Sequence, residues 1–161
     1  MAASRTGSGK TLSYLIPIIE RLYMKKWTVL DGLGALIILP TRELAIQVFQ
    51  VFNSITEFHE LSVGLIIGGK DLEYEKKNIH IMNVLICTPG RLLQHMEESV
   101  GFSADNLQIV VLDEADMILE MGFANTLKAI MQNLPQGRQT MLFSATLSKN
   151  IHELGRLSLK V

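Results

Sequence analysis

Cysteine is almost missing from this sequence: Cys87 is the only one in 161 residues. It has no partner for an internal disulfide, which excludes a disulfide-stapled scaffold. Its place in an apolar run reads as a small core residue of a reducing, intracellular compartment. Net charge is nearly absent too, at −1. No bulk electrostatic attraction to nucleic acid or to a membrane surface follows, so any nucleic-acid site must be local, made of a few arginines, threonines and backbone N–H groups. No apolar run approaches the roughly 18 residues of a membrane span, and Met1-Ala2-Ala3 lacks the charged and apolar regions of a signal peptide. The four histidines, His59, His80, His95 and His152, share no metal-ligand spacing and read as surface residues or helix ends. Repeats, charge tails and low-complexity segments are also missing, so no linker is expected and the chain reads as one domain.

What is present is an apolar fraction of 48%, enough for a substantial core, and one stretch around which the rest is arranged. Ser4-Arg5-Thr6-Gly7-Ser8-Gly9-Lys10-Thr11 runs directly into Leu12, Leu15, Ile16, Ile19 and Leu22, an apolar-periodic segment. A glycine-rich loop that opens a helix turns several backbone N–H groups toward one point, and the helix start adds partial positive charge. Lys10 and Thr11 follow at the offsets that suit phosphate oxygens and Mg²⁺. Gly-Ser-Gly alone would read as a flexible turn; the Lys-Thr pair and the helix behind it point to a nucleotide. Ser4 stands where the strict pattern has Gly. Such a loop normally follows a strand, and almost nothing precedes this one, so the sequence reads as truncated at its N-terminus and lacking its first strand.

Apolar runs alternate with amphipathic segments along the rest of the chain. Helices are expected over 10–26 (with Pro17 inside), 42–58, 71–78, 91–98 and 149–159, and one more through Phe123, Leu127, Ile130 and Leu134. Short continuous apolar runs at 35–39, 62–67, 83–87, 107–112 and 139–143 read as buried strands. Strands alternating with helices predict an α/β fold with a mostly parallel, doubly wound sheet and helices on both faces. Ligands of such sheets bind outside the carboxyl ends of the strands, and every polar cluster here falls at such an end or at the start of the following helix.

Asp113 and Glu114 follow the run ending at Leu112. Alone, the pair could be a solvated helix start; beside a phosphate loop, Asp113 suits a Mg²⁺ ion and Glu114 an attacking water. Asp116 is a third acid nearby, and a hydrogen bond from it to Ser144 or Thr146 would join two strand ends, although either hydroxyl could simply cap locally. Thr41-Arg42, Gly68-Gly69 and Thr88-Pro89-Gly90-Arg91 offer hydroxyls, guanidinium groups and glycine N–H groups at three further strand ends. Such groups contact phosphate and sugar without reading bases; turn chemistry and helix capping would account for each one singly.

Thr6-Gly7-Ser8-Gly9-Lys10-Thr11, Pro40-Thr41-Arg42-Glu43-Leu44-Ala45, Gly68-Gly69, Thr88-Pro89-Gly90-Arg91, Asp113-Glu114-Ala115-Asp116 and Ser144-Ala145-Thr146 together, in this order, resemble the DEAD-box ATP-dependent RNA helicases. The resemblance covers nearly the whole of 1–161 and implies the N-terminal, ATP-binding RecA-like domain of that family, a P-loop fold. Trp27 with Asp31-Gly32-Leu33-Gly34, the stretch 64–72 and Leu92-Leu93-Gln94-His95-Met96 look like the nucleolar DEAD-box-protein-10 subfamily, which acts in small-subunit ribosomal RNA processing. That likeness implies a nuclear, nucleolar protein working on pre-ribosomal RNA with pre-ribosomal particle proteins as partners. By similarity, Thr6, Gly7, Ser8, Gly9, Lys10 and Thr11 would bind ATP, Thr11 and Asp113 would hold Mg²⁺, and Glu114 would be the catalytic base. Asp116, Ser144 and Thr146 would couple hydrolysis to RNA release. Thr41, Arg42, Gly69, Thr88 and Arg91 would contact the backbone of single-stranded RNA or a short duplex. Met117 stands where most members have Arg. The upstream adenine-reading glutamine motif and the second RecA-like domain, with the arginines that complete hydrolysis, are not in these 161 residues. Two readings follow: a piece of an RNA-dependent ATPase and helicase, or a hydrolysis-deficient module that binds nucleotide or RNA. A GTPase lacks support, since no guanine-reading Asn-Lys-x-Asp motif occurs.

Overall fold

A computed structural model of the chain describes residues 2–3 and 9–159, with side chains from residue 9 onward. Among the described residues, six strands form one sheet: β1 (Ala2–Ala3), β2 (Ala35–Ile38), β3 (Val63–Ile66), β4 (Val84–Cys87), β5 (Ile109–Leu112) and β6 (Gln139–Ser144), in the spatial order β1-β6-β5-β2-β4-β3. Every pairing is parallel, with Ile38 beside both Cys87 and Leu112. The first strand, expected to be missing, is present as two residues: Ala2 and Ala3 pair with Phe143 and Ser144. Chain order and spatial order differ because each connection crosses over the sheet through a helix, as parallel pairing requires.

Among the described residues, seven α-helices flank the sheet: α1 (Lys10–Met24), α2 (Arg42–Ile55), α3 (Leu72–Asn78), α4 (Pro89–Glu98), α5 (Ala115–Glu120), α6 (Ala124–Gln132) and α7 (Lys149–Ser158). The strands sort their side chains by the period of two. Ala35, Ile37 and Leu39 turn to one face, where Tyr14, Leu15, Ile18 and Leu22 of α1 and Val48 and Phe52 of α2 pack. Leu36 and Ile38 turn to the other, against Leu92, Ile118, Leu127, Ile130, Ile151 and Leu154 of α4 to α7. Central strands are therefore buried on both sides, which is why they read as unbroken apolar runs. Each fully buried Leu or Ile contributes about 1.5–3 kcal/mol. Edge strand β3 alternates in burial, as one half-covered strand should.

Three local expectations are corrected. α4 starts at Pro89, which serves as its first helical residue, since a missing N–H costs nothing in the first turn. The segment after Asp113 holds two helices, α5 and α6, split at Gly122, whose φ of 88° ends α5 in the left-handed region. α1 continues through Pro17, as expected. His95, expected at the surface, is fully buried inside α4, while the other three histidines are exposed or half-buried. Cys87 is fully buried in β4, and burial pushes its thiol well above the usual range, so it is an inert core residue.

Candidate functional site

The carboxyl ends of β5 and β2 and the start of α1 meet at a cavity of about 250 Å³ lined by Lys10, Thr11, Asp113 and Glu114. α1 begins at Lys10 because Gly9, at φ 75°, turns the chain in the left-handed region that glycine adopts without strain. Lys10 is buried, with its Nζ 2.5 Å from Glu114 Oε1 and 3.3 Å from Asp113 Oδ1. Burial works to lower the Lys10 pKa, but the Glu114 hydrogen bond and the two carboxylate charges outweigh it and hold it above the usual lysine value. Asp113 and Glu114 are only 2% and 4% exposed. Asp113 is fixed from three sides: its N–H donates to Ile38 O, its Oδ1 accepts from the Glu114 N–H at 2.8 Å, and its Oδ2 accepts from the Tyr14 hydroxyl at 2.8 Å. Tyr14 is itself fully buried, and its ring tilts against Phe143 with centroids 5.4 Å apart. Burial, then the Asp113 charge, push the Tyr14 pKa far above the tyrosine norm, so the hydroxyl remains a donor. Glu114 has φ 52°, an uncommon conformation for a non-glycine residue. It turns the chain sharply from β5 into α5 and leaves both acids beside Lys10.

Asp116 and Thr146 lie at the next strand end. The Thr146 hydroxyl points at Asp116 Oδ2 from 3.5 Å, at the outer limit of a hydrogen bond, and the Thr146 N–H approaches Ser144 Oγ at 3.4 Å. Thr6, Gly7 and Ser8 of the phosphate loop, and Ser4 before them, lie outside the described residues.

On the other half of the sheet, the ends of β2, β3 and β4 bring three loops together. Thr41 caps α2, accepting from the Leu44 N–H at 3.3 Å. Exposed Arg42 donates from Nη1 to Gly68 O at 3.2 Å. Gly69 has φ 83°, and a Cβ there would stand 2.5 Å from Arg42 Nη1, so the tip of the guanidinium occupies the space that a side chain at 69 would need. Thr88 caps α4 without a side-chain bond. Arg91 is the outlier of the set. It is largely buried: Nε donates to Glu75 Oε2 at 2.7 Å, Nη1 to Gln94 Oε1 at 3.2 Å, and Nη2 to Lys70 O.

A family model described as DEAD/DEAH box helicase matches residues 1–154. The chain belongs to this family. Among DEAD-box relatives, it is 59% identical over 160 residues to the human protein named probable ATP-dependent RNA helicase DDX10, and 58% identical to ATP-dependent RNA helicase dbp4 of Sclerotinia sclerotiorum. Those matches take in 99% of this chain but only 18% and 20% of the relatives, so the chain spans about a fifth of their length. The DEAD-box fold is equally plain: a crystal structure of a DEAD box protein from Methanococcus jannaschii superposes with a TM-score of 0.90 at 35% identity, over 98% of this chain and 42% of that one. The yeast DEAD-box splicing factor Prp28 gives 0.89 at 30%, over 98% and 39%.

In this DEAD-box domain the donor set suits a divalent cation shared with phosphate. One ammonium faces two carboxylates, which leaves a negative charge over, and all the candidate ligands are hard oxygens. Among the described residues no group of three or more acids, histidines or cysteines could enclose a metal by itself. Mg²⁺ is usually held by one or two protein oxygens plus phosphates and water, and Asp113 with Thr11 meets that need. Two functional contributors were not picked out by sequence reasoning. Tyr14 stands four residues after Lys10, on the same helix face, and a buried tyrosine requires a partner for its hydroxyl. Glu75 sits in a helix that otherwise reads as polar surface, and only its burial reveals it.

Proposed function

We propose that residues 1–161 are the ATP-binding, RecA-like domain 1 of an ATP-dependent RNA helicase that remodels or locally unwinds RNA, with pre-ribosomal RNA in the nucleolus as its substrate. The observation that carries this is the buried Lys10–Asp113–Glu114 cluster at one end of the sheet, with three backbone-contacting loops beside it on the same edge. Lys10 is the residue to hold ATP phosphate oxygens, and Thr6, Gly7, Ser8 and Gly9 are the ATP-binding loop by motif. Thr11 and Asp113 would hold Mg²⁺, which when bound neutralises developing phosphate charge. Tyr14 keeps Asp113 oriented. Phosphate oxygens compete with Glu114 for the Lys10 ammonium; once that ammonium turns to phosphate, the Glu114 carboxylate is free to accept a proton from water. Asp116, Ser144 and Thr146 would relay the outcome between strand ends. Thr41, Arg42, Gly69, Thr88 and Arg91 are the RNA-facing set, and contacts limited to sugar and phosphate suit a substrate read without sequence preference.

A second reading is favoured by one observation: Lys10 is the sole cation among the described residues lining the cavity. Taken alone, the 161-residue chain binds nucleotide or RNA without fast turnover, because an additional arginine is worth 10³-fold or more in related phosphoryl transfers, on the order of 4 kcal/mol. Both readings are tested by RNA-stimulated ATP hydrolysis, measured for the full-length protein and for the chain alone. Glu114→Gln in the full-length protein is expected to lower kcat by at least about 100-fold; equal rates would sink the catalytic assignment. RNA-stimulated turnover by the chain alone, lost in Lys10→Ala, would sink the second reading.

A further inference from the structure

Glu75 of α3 is a carboxylate buried to 5% exposure, away from the nucleotide cavity, and it gathers three donors. Its Oε1 faces the Ile67 N–H at 3.4 Å, and its Oε2 accepts from both Arg91 Nε and His95 Nε2 at 2.7 Å. A carboxylate only accepts, so His95 Nε2 carries a hydrogen; its Nδ1 then meets the Ser99 hydroxyl at 2.7 Å. Ser99, His95 and Glu75 have the residue types of a hydrolase triad, but with the ring nitrogens exchanged: Nδ1 faces the serine and Nε2 the acid. The ring is fully buried, however, and Arg91 already shares the carboxylate, so no substrate can reach a nucleophile here. The chain of bonds leads outward instead. Arg91, held at Nε, reaches with Nη2 to the Lys70 carbonyl in the loop after Gly69, and with Nη1 to Gln94 on its own helix. Five N–H donors in a rigid fork suit such bridging.

We propose that Glu75 is a positioning residue: backed by His95 and Ser99, it locks Arg91 as a strut between the 68–71 loop and the start of α4, so that two nucleic-acid-facing loops behave as one rigid surface. The use of that surface rests on the RNA reading above; the strut itself does not. Arg91 thereby acts on protein as well as on RNA, and the loss of either partner is felt at both loops.

The test compares Glu75→Ala, Glu75→Gln, Arg91→Lys and Arg91→Ala with the parent chain. Amide hydrogen exchange is followed in peptides covering 68–72 and 88–92, and affinity for a fluorescein-labelled single-stranded oligouridylate is followed by anisotropy. Retained protection of β4 in each variant shows that it is folded. Glu75→Ala is expected to raise exchange in both loops together and to weaken RNA binding about tenfold. Arg91→Lys, which keeps the charge but not the fork, is expected to do the same at 68–72. Glu75→Gln retains one oxygen able to accept from Arg91 and should restore most of the binding. Combining Glu75→Ala with Arg91→Ala should be no worse than either alone. Additive losses, or unchanged exchange at 88–92 in Glu75→Ala, would overturn the strut. A parent chain that binds no RNA, yet shows coupled exchange, would keep the strut and overturn the RNA reading.

Discussion

Replacing Tyr14 by Phe removes one oxygen and little else. The ring keeps its place against Phe143, but Asp113 Oδ2 loses the 2.8 Å donor that satisfies it in a site only 2% exposed. A hydrogen bond to a charged group is worth about 1.5–3 kcal/mol, and a buried acceptor left without a donor bears the larger end of that range. A chain of this size shifts its midpoint by about 2–4 °C per kcal/mol, so Tyr14→Phe should melt roughly 3–12 °C below the parent, and its urea midpoint should fall with no change of slope. Tyr23→Phe is the control: Tyr23 is 66% exposed and holds no carboxylate, so it should change stability by less than about 0.5 kcal/mol. The pH dependence sharpens the test. The folded-state pKa of Tyr14 lies above its unfolded value of 10.0. Its contribution is therefore complete below pH 10 and is lost as the pH rises beyond it, when the unfolded chain alone releases the proton. The gap between parent and variant should be constant through neutral pH and should narrow on the alkaline side. A Tyr14→Phe protein that melts with the parent at neutral pH would show that Asp113 is held without this hydroxyl.

Lys10→Ala leaves Asp113 and Glu114 buried with no cation, and should cost about 3–5 kcal/mol in urea unfolding as well as nucleotide binding, a double loss that equilibrium denaturation and dialysis read separately. Burial raises the Glu75 pKa, but the hydrogen bonds from His95 and Arg91 overcome it and hold it below the usual value of 4.5. Its contribution is thus complete above about pH 4.5 and is lost as the pH falls through the lower folded value; a Glu75→Gln chain should lack that part of the acid-induced loss when melts are compared across the range. Gly69→Ala forces a side chain into φ 83° and drives a Cβ against the Arg42 guanidinium. The cost of about 1–2 kcal/mol for the left-handed backbone should appear in the melt, and the displaced Arg42 should appear as weaker RNA binding by anisotropy.

Much of the architecture was legible because central parallel strands are apolar on both faces. The runs ending at Leu39, Cys87 and Leu112 could hardly be anything else, and the helices between them carry clear stripes. β1 was not legible: two alanines hold no pattern, and only pairing with Phe143 and Ser144 makes them a strand. α5 escaped because six residues give too few turns for a periodicity, and its start is set by the left-handed Glu114 and not by a capping side chain. The acids and Lys10 could be matched from motif spacing, since their roles depend on strand ends. Glu75 and His95 could not, nor could their tie to Arg91, because Glu75 lies on α3 and the other two on α4, and what joins them is depth. A histidine in an amphipathic helix looks the same in sequence whether its ring meets water or a buried carboxylate.

The two halves of the sheet edge are joined most directly by α2. Its cap, Thr41, and its first residue, Arg42, stand among the loops proposed to face RNA, with Arg42 tied to Gly68. One to three turns further on, Leu44, Gln47, Val48 and Val51 line the cavity that holds Lys10, Asp113 and Glu114. Ala45, Val48 and Phe52 anchor the same helix in the core, so it has no freedom to answer one site without moving at the other. A 14-residue helix with buried anchors shifts as a body. On the proposed function, packing at the nucleotide cavity would be felt at Thr41 and Arg42, and the dependence would run both ways: any factor by which RNA changes nucleotide affinity is the factor by which nucleotide changes RNA affinity. β2 strengthens the same link from below, since it lies between β5, which delivers Asp113, and β4, which delivers Thr88. The element that carries Arg42 is thus the natural place for coupling, ahead of the weak 3.5 Å contact between Thr146 and Asp116, which lies wholly on the nucleotide half.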